Sequence, residues 1–307
     1  MRPQFNRATQ ENYAPGSIFK PIVGLAALEA GLDPNALVNN PGYIYVGKRH
    51  ITDLAPPDKY NFRRAIIYSS NTYFITAGRQ AGIDNVVQMA EKFHFGERTG
   101  LPTRQETPGI FPTLSQVHSA DWHEGDSANI DFGQGEMAVT PMQMAVAYAA
   151  IANGGTVLWP RLVERIEPQD PASGEAVTNF PAGLVRDHLG VSARSLNILH
   201  DAMLAETEDP EGTGRPAAVG PAMRICGKTG TAEIMDTNNR RIGRTTWFAS
   251  FAPYEHPRYA VVVMVENGTF GGPTCAPIAH GIYEAILKSE KPDAPALVAL
   301  RPGERLN

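Results

Sequence analysis

The pattern of apolar residues changes near residue 157, and this change constrains the fold more than any other feature of the chain. Before it, apolar residues recur with helical spacing, whereas extended segments predominate after it. Three later segments are predicted strands, at 222–228, 245–252 and 258–265, and a helical pattern follows at 275–288. We therefore expect an α/β (α+β) fold in which an antiparallel sheet is flanked by helices.

The predicted helices lie mainly in the first part of the chain. The helix at 140–153 is the clearest, because Thr140 can cap it, Pro141 can open it, and the glycines that follow can end it. We also predict helices at 17–30, 62–69, 71–81, 84–94 and 192–206, a short strand at 43–46, extended segments at 157–168 and 175–180, and a mobile acidic loop at 207–216. Because the chain has no internal repeat or linker, we expect one domain over 1–307, with a helix-rich region at about 62–155.

The composition excludes several classes of protein. The formal net charge is −5, from 27 basic and 32 acidic residues, so no broad basic surface indicates a nucleic-acid partner. No apolar run approaches the length of a membrane span and the first residues are too polar for a signal peptide, so we expect a soluble chain. The two cysteines, Cys226 and Cys275, are interpreted as small buried residues, with a disulfide as the alternative.

Two polar motifs in the first part of the chain could carry chemistry. Ser17 and Lys20 are three residues apart on a predicted helix, so the hydroxyl and the amine share one face. A neutral lysine amine can remove the proton that keeps serine a poor nucleophile. Further along, Ser69-Ser70-Asn71 puts a hydroxyl and an amide at a helix junction, where they could relay a proton and bind a carbonyl. Each motif is weak alone, since Ser-x-x-Lys is common by chance and Ser and Asn also cap helices.

A third motif, GKTGT at 227–231, lies in a predicted strand. Its glycines allow another segment to approach the strand edge, and Lys228 and Thr229 offer a cation and a hydroxyl to a carboxylate. A phosphate loop requires glycine where Ala222 stands and a helix after the motif, so this alternative fails. A dinucleotide site at 133–138 is disfavoured because no buried strand precedes it.

Together the three motifs resemble those of the penicillin-binding transpeptidases in their order and spacing. The segment NRATQENYAPGSIFKP at 6–21 resembles the nucleophile segment of class B proteins of the penicillin-binding protein 2 type. Further similar segments are SSNTYF (69–74), GQGEMAVTPMQMA (133–145), GKTGTAE (227–233) and the pair Gly212-Thr213, which precedes the Lys-Thr-Gly strand. The resemblance covers roughly residues 5–290 and implies the serine transpeptidase / β-lactamase-like fold.

The resemblance implies a role for each residue of the first two motifs. Ser17 would attack the D-alanyl-D-alanine carbonyl of a peptidoglycan stem peptide, and an amine of a neighbouring stem would then take the acyl group and form a cross-link. Lys20 would act as the general base and Ser69 would pass the proton to the leaving group. Asn71 would bind the amide carbonyl of the substrate. β-Lactam antibiotics would acylate the same serine, because they mimic the dipeptide.

The third motif would bind the substrate and stabilise its transition state. The resemblance implies that Lys228 and Thr229 hold the substrate carboxylate. Thr231, which follows Gly230 in the strand, would form the oxyanion hole with the backbone N–H of Ser17.

The two lysines also make physical sense together. Lys20 must be neutral to act as a base, against an ordinary pKa near 10.4. Burial and the charge of Lys228 both lower its pKa. Lowering that pKa to about 7–8 costs roughly 3–5 kcal/mol of charged-state stabilisation.

The resemblance further implies surroundings for a longer protein. The family carries a membrane anchor, a non-catalytic region and its first sheet strands before the serine motif, whereas 16 residues precede Ser17 here. We therefore expect an N-terminally truncated domain that lacks those strands, with an unpaired sheet edge that weakens folding or activity. The full-length protein is expected in the bacterial cytoplasmic membrane, with this domain on the periplasmic face, beside a glycan polymerase of the elongation machinery. No metal or organic cofactor is implied.

Three other functions share the same motifs. A D,D-carboxypeptidase would use water as the acyl acceptor. A β-lactamase would need rapid deacylation, and Glu175-Ala-Val-Thr-Asn179 matches one family's water site by letter; we interpret it as a chance match, because it lies more than one hundred residues after Ser69. A non-catalytic module would bind peptidoglycan or β-lactams without turnover.

Overall fold

The computed structural model describes residues 4–101, 105–170, 172–235 and 240–290. The helices in these ranges are α1 (Arg7–Gln10), α2 (Lys20–Glu29), α3 (Phe62–Ile67), α4 (Asn71–Ala81), α5 (Ile83–Lys92), α6 (Leu114–Val117), α7 (Glu124–Asp131), α8 (Pro141–Ala152), α9 (Ala193–Glu208), α10 (Gly271–Thr274) and α11 (Ala276–Ser289). The strands are β1 (Val38–Asn40), β2 (Tyr43–Val46), β3 (Arg49–Thr52), β4 (Asp58–Tyr60), β5 (Thr156–Leu158), β6 (Arg165–Ile166), β7 (Thr178–Asn179), β8 (Val185–His188), β9 (Cys226–Met235), β10 (Arg241–Ala252) and β11 (Tyr259–Glu266). Two 3₁₀ helices span Gly16–Phe19 and Arg215–Ala217.

The three late strands form an antiparallel sheet, as the sequence predicts, and the structure places β10 in its middle. From Thr245 to Ala252 both faces of β10 are buried, because its apolar side chains alternate between two hydrophobic cores. Trp247, Ala249 and Phe251 point into the larger core. Phe248 and Ala252 point into the smaller one, which α11 covers. In the described part of the chain β11 pairs only with β10, so its other edge has no strand partner.

Helix α2 lies in the larger core, where its side chains are buried on every side from Lys20 to Leu28. A helix that is apolar all round is stable only when it is surrounded by other elements. Helices α4, α5 and α9 pack against it. At Gly24 a Cβ atom would lie 2.9 Å from the ring of Phe62, so the neighbouring side chain approaches the helix backbone closely. Lys20 therefore enters the core as the first residue of a buried helix.

Most of the predicted elements are confirmed, although several differ in extent, among them the strand predicted at 245–252, which begins at Arg241. The strand predicted from 222 begins at Cys226 and continues to Met235. The predicted loop at 207–216 is wrong in part, because α9 continues to Glu208 and a 3₁₀ helix begins at Arg215. Thr207 is fully buried, and its single hydroxyl proton is shared between the backbone carbonyls of Leu204 and Ile225, which attaches the end of the helix to the segment before β9. The extended segments after 157 form two small pairs, β5 with β8 and β6 with β7.

Both cysteines are buried and free, which confirms the first interpretation of them. The helix-rich region holds α3 to α8, and its assignment to one domain over 1–307 stays a prediction. None of the helices in the described ranges combines the length and apolar character needed to span a bilayer.

Replacement of Thr140 by Ala should lower the free energy of unfolding by about 1–2 kcal/mol. Thr140 is fully buried and closes a reciprocal capping box with Gln143 at the start of α8, so the variant leaves a helix N–H without its acceptor. Thr113→Ala is the matched control, since the same box there caps a four-residue exposed helix. Denaturant unfolding of the two variants measures the difference. Equal losses would contradict the importance of the α8 cap.

Candidate active site

The first candidate motif lies in a tight turn at the start of α2. Ser17 is in the 3₁₀ helix that precedes α2, and the backbone N–H of Lys20 donates to its carbonyl. In a 3₁₀ turn, side chains three residues apart eclipse each other. Ser17 is half-buried, whereas Gly16, Ile18 and Lys20 are buried. The turn therefore keeps the hydroxyl accessible while the amine is inside the protein.

The amine of Lys20 contacts the second motif directly. Its Nζ donates to the carbonyl of Ser69 at 2.6 Å and to Asn71 Oδ1 at 2.8 Å, and it lies 3.4 Å from Ser69 Oγ. Burial, followed by the charge of Lys228, lowers the pKa of Lys20 to about 7, while Asp53 and Glu206 oppose that shift. A neutral amine is therefore accessible near neutral pH, as a general base requires.

A buried carboxylate holds the second motif in place. Asp53 Oδ2 accepts hydrogen bonds from Ser70 Oγ and from the backbone N–H of Thr72, both at 2.7 Å. Between α3 and α4, Ser69 adopts a φ of +58°, a left-handed conformation that few residues other than glycine adopt. These two hydrogen bonds fix the residues on either side of Asn71, and so hold its amide beside Lys20. Sequence reasoning did not identify this function of Asp53.

The third motif approaches the serine turn through its backbone. A Cβ atom at Gly16 would lie 2.7 Å from the carbonyl oxygen of Thr231, and one at Gly230 would lie 3.0 Å from that of Pro15. Side chains at these positions would separate β9 from the turn. Thr231 is half-buried, and its hydroxyl accepts the N–H of Gly271.

Lys228 does not reach the surface of the site. Its side chain is fully buried, and its Nζ lies 3.1 Å from Glu206 Oε1 in an ion pair whose partners are both 0% exposed. The same oxygen accepts hydrogen bonds from the backbone N–H and hydroxyl of Thr229 and from the hydroxyl of Thr213. Burial lowers the pKa of Lys228, and Glu206 opposes this.

Sequence reasoning did not identify Glu206, although a signal for it exists. Leu196, Leu199 and Met203 precede it at helical spacing on the buried face of α9. A carboxylate in line with such a face must find a partner inside the protein.

A glycine of the 133–138 segment supports the serine turn. The N–H of Gly16 donates to the carbonyl of Gly133 at 2.8 Å, and a Cβ atom at Gly133 would overlap the Gly16 carbonyl. Tyr148 Oη donates to the carbonyl of Ile18 at 2.9 Å, and Trp247 Nε1 to that of Ala14 at 3.1 Å. The turn is thus attached to α8 and to β10.

The site combines the accessible hydroxyl of Ser17, the buried amine of Lys20 with a pKa of about 7, the amide of Asn71 and the edge of strand β9. These are the parts required for nucleophilic attack on a carbonyl. Among the described residues no cluster of His, Cys, Asp and Glu could hold a metal ion. Glu175 and Asn179 are exposed, and Asn179 lies in the pair of β6 and β7.

Comparison with known proteins gives consistent similarities. The profile of the penicillin binding protein transpeptidase domain matches residues 2–284. The peptidoglycan D,D-transpeptidase MrdA of Haemophilus influenzae is 28% identical over 95% of this chain and 47% of that protein. Pseudomonas aeruginosa PBP2, crystallised with WCK 5153, is 30% identical with a TM-score of 0.80, covering 97% of this chain and 66% of that one. PBP3 of Mycobacterium tuberculosis with aztreonam is 29% identical with a TM-score of 0.81, covering 95% and 66%. The chain therefore spans about half the length of the Haemophilus protein.

Replacement of Gly133 by Ala should destabilise the protein by about 3 kcal/mol or more. The new methyl group meets the Gly16 carbonyl, and the φ of +80° adds backbone strain. Gly154→Ala is the matched control, because Gly154 has a φ of +88° and nothing within 4 Å of its Cβ position. The control should lose only about 1–2 kcal/mol through backbone strain. Urea unfolding measures both variants, and equal losses would contradict the close contact of Gly133 with the serine turn.

Proposed function

The chain belongs to the penicillin-binding transpeptidase family and is of the PBP2 type, and on this basis we propose that it is the catalytic domain of a peptidoglycan D,D-transpeptidase that β-lactams acylate. The substrates are peptidoglycan stem peptides ending in D-alanyl-D-alanine. Two relatives support the β-lactam part of the proposal, since they were crystallised with WCK 5153 and with aztreonam.

The observation that carries this proposal is the environment of Lys20. Its amine is fully buried, donates to Ser69 and Asn71, and has a pKa lowered to about 7. Ser17 is one turn away and remains half-exposed. A purely structural lysine would gain nothing from a position one turn from an accessible hydroxyl.

In the acylation step, neutral Lys20 takes the proton of the Ser17 hydroxyl as Ser17 Oγ attacks the carbonyl between the two D-alanines. The N–H groups of Ser17 and Thr231 stabilise the oxyanion. When the C–N bond breaks, Lys20 returns this proton through the hydroxyl of Ser69 to the leaving nitrogen, so that D-alanine departs and Lys20 is neutral again. Asn71 binds the amide carbonyl of the donor and so fixes its orientation.

In the transfer step, the amine of a neighbouring stem peptide attacks the acyl-serine. Lys20 accepts a proton of that amine and delivers it to Ser17 Oγ as the C–O bond to Ser17 breaks, so the hydroxyl is restored and a new cross-link is formed. A β-lactam follows only the first step, because its leaving nitrogen remains attached to the acyl group. The adduct therefore persists on Ser17.

The proposed reaction also sets the place where a longer protein would work. Peptidoglycan lies outside the cytoplasmic membrane, so we propose that the full-length protein is anchored there with this domain on the periplasmic face. Similarity to MrdA proteins over most of the chain supports a function in cell elongation, next to a glycan polymerase.

Incubation with a fluorescent penicillin tests the proposal. We expect a stable adduct of one penicillin on Ser17 and no adduct in Ser17→Ala. Measurement of the intact mass over time shows whether the adduct persists. Ser119→Ala is the matched control, since Ser119 is an exposed serine far along the chain from the motifs. An adduct that disappears within seconds would favour a β-lactamase. Absence of any adduct in folded protein would contradict the proposal and favour a non-catalytic module. In a separate assay with a stem pentapeptide, release of D-alanine without a cross-linked dimer would favour a D,D-carboxypeptidase.

The rate of acylation should depend on pH through Lys20. Because its pKa is lowered to about 7, the second-order rate constant should rise about tenfold per pH unit below that value and level off above it. The charged groups that act on Lys20 are Lys228, Asp53 and Glu206. Stopped-flow measurements with the fluorescent penicillin from about pH 5.5 to 9 give the profile. Lys288→Ala, at an exposed lysine of α11, should leave it unchanged, and a flat profile in the unmodified chain would contradict a lysine base.

A further inference from the structure

Glu206 is a buried carboxylate that the proposed reaction does not use. It lies near the end of α9 and is 0% exposed, and its charge is balanced by Lys228 of β9 at 3.1 Å. Its Oε1 is the acceptor for Thr229 N–H at 2.7 Å, Thr229 Oγ at 2.9 Å and Thr213 Oγ at 2.6 Å. Its Oε2 is buried without a hydrogen-bond partner among the described residues. An unpaired buried carboxylate oxygen is costly, so stability alone does not account for this residue.

Of the residues in this cluster, Thr213 is the most accessible, whereas Thr229 is only 6% exposed. Thr213 is half-buried, and its Oγ lies 2.7 Å from that of Thr229. Each hydroxyl has one proton to donate. With Glu206 ionised, both protons have an anionic acceptor inside the protein, and neither is free for a ligand carboxylate.

The charge of Glu206 acts in the same direction. Lys228 is the cation that would attract a carboxylate to this end of the site, and Glu206 neutralises it. A ligand carboxylate at the threonine hydroxyls would also be repelled by the carboxylate of Glu206, because only those hydroxyls lie between the two anions. The pair is neutral as a whole and offers little attraction to an anion.

We propose that Glu206 is a specificity-determining and positioning residue that neutralises Lys228, holds the hydroxyls of Thr213 and Thr229, and so weakens recognition of the carboxylate of the acyl donor. This inference rests on the proposed function, because it assigns a substrate preference to the same site. The preference follows from a helix residue outside the three motifs.

Benzylpenicillin and its methyl ester provide the test, since they differ at the carboxylate alone. We measure the second-order rate constant of acylation for each compound and take the ratio of acid to ester. Glu206→Gln should raise this ratio at least about tenfold, equivalent to about 1.4 kcal/mol, because a ligand carboxylate then no longer faces the anion of Glu206. Loss of stability alone would lower both rate constants and leave the ratio unchanged.

Glu208→Gln is the matched control. Glu208 is two residues further along α9, is partly exposed and pairs with Arg224 at 2.8 Å. The acid-to-ester ratio of the Glu208→Gln variant should therefore equal that of the unmodified chain. Equal ratios for the Glu206 and Glu208 variants would overturn the proposal.

A second pair of variants covers the case in which Glu206→Gln does not fold. Lys228→Met leaves Glu206 as a lone anion, so the ratio should fall about tenfold or more. The double variant Lys228→Met/Glu206→Gln removes both charges and should return the ratio to near its original value. A double variant that keeps the low ratio of Lys228→Met would overturn the proposal. If neither compound acylates the unmodified chain, the proposed function fails and this inference fails with it.

Discussion

Burial of the Lys20 amine is the constraint on which the rest of the site depends. Moving an ammonium group out of water costs several kcal/mol, so the amine is stable there only with its charge reduced and its hydrogen bonds satisfied. The lowering of its pKa from 10.5 to about 7 corresponds to about 5 kcal/mol. Helix α2 supplies the buried position, because it is apolar on every side and lies in the larger core. Ser69 and Asn71 supply the acceptors.

Two carboxylates organise the motifs that meet at Lys20. Asp53 holds Ser70 and Thr72, and with them the turn that presents Asn71. Glu206 accepts hydrogen bonds from the amine of Lys228 and from the backbone N–H of Thr229, and so holds strand β9 in place. Both carboxylates raise the pKa of Lys20, against the effects of burial and of Lys228. The amine therefore titrates near neutrality because burial and Lys228 outweigh the two carboxylates, and a change in any of these charges would shift its pKa.

Direct backbone contacts give the site its rigidity. The turn at Gly16 lies against the carbonyl of Thr231 and is hydrogen-bonded to Gly133, while Tyr148 and Trp247 bind the carbonyls on either side of Ser17. Segments far apart in the chain thus fix one another through close backbone contacts and direct hydrogen bonds to the backbone. A nucleophile held in this way loses little conformational entropy when a substrate binds, and this favours the proposed attack on a carbonyl.

The sequence alone determined the element types, because hydrophobic period, caps and turn residues are local properties of the chain. The helix at 140–153, the antiparallel sheet and the candidate positions Ser17, Lys20 and Lys228 could all be predicted from it. Only the tertiary structure decided which charge lies beside which: that Glu206 neutralises Lys228, and that Asp53 supports the second motif. The physical reason is that the partner of a buried charge depends on which helix packs against which strand, and no local pattern of residues records that.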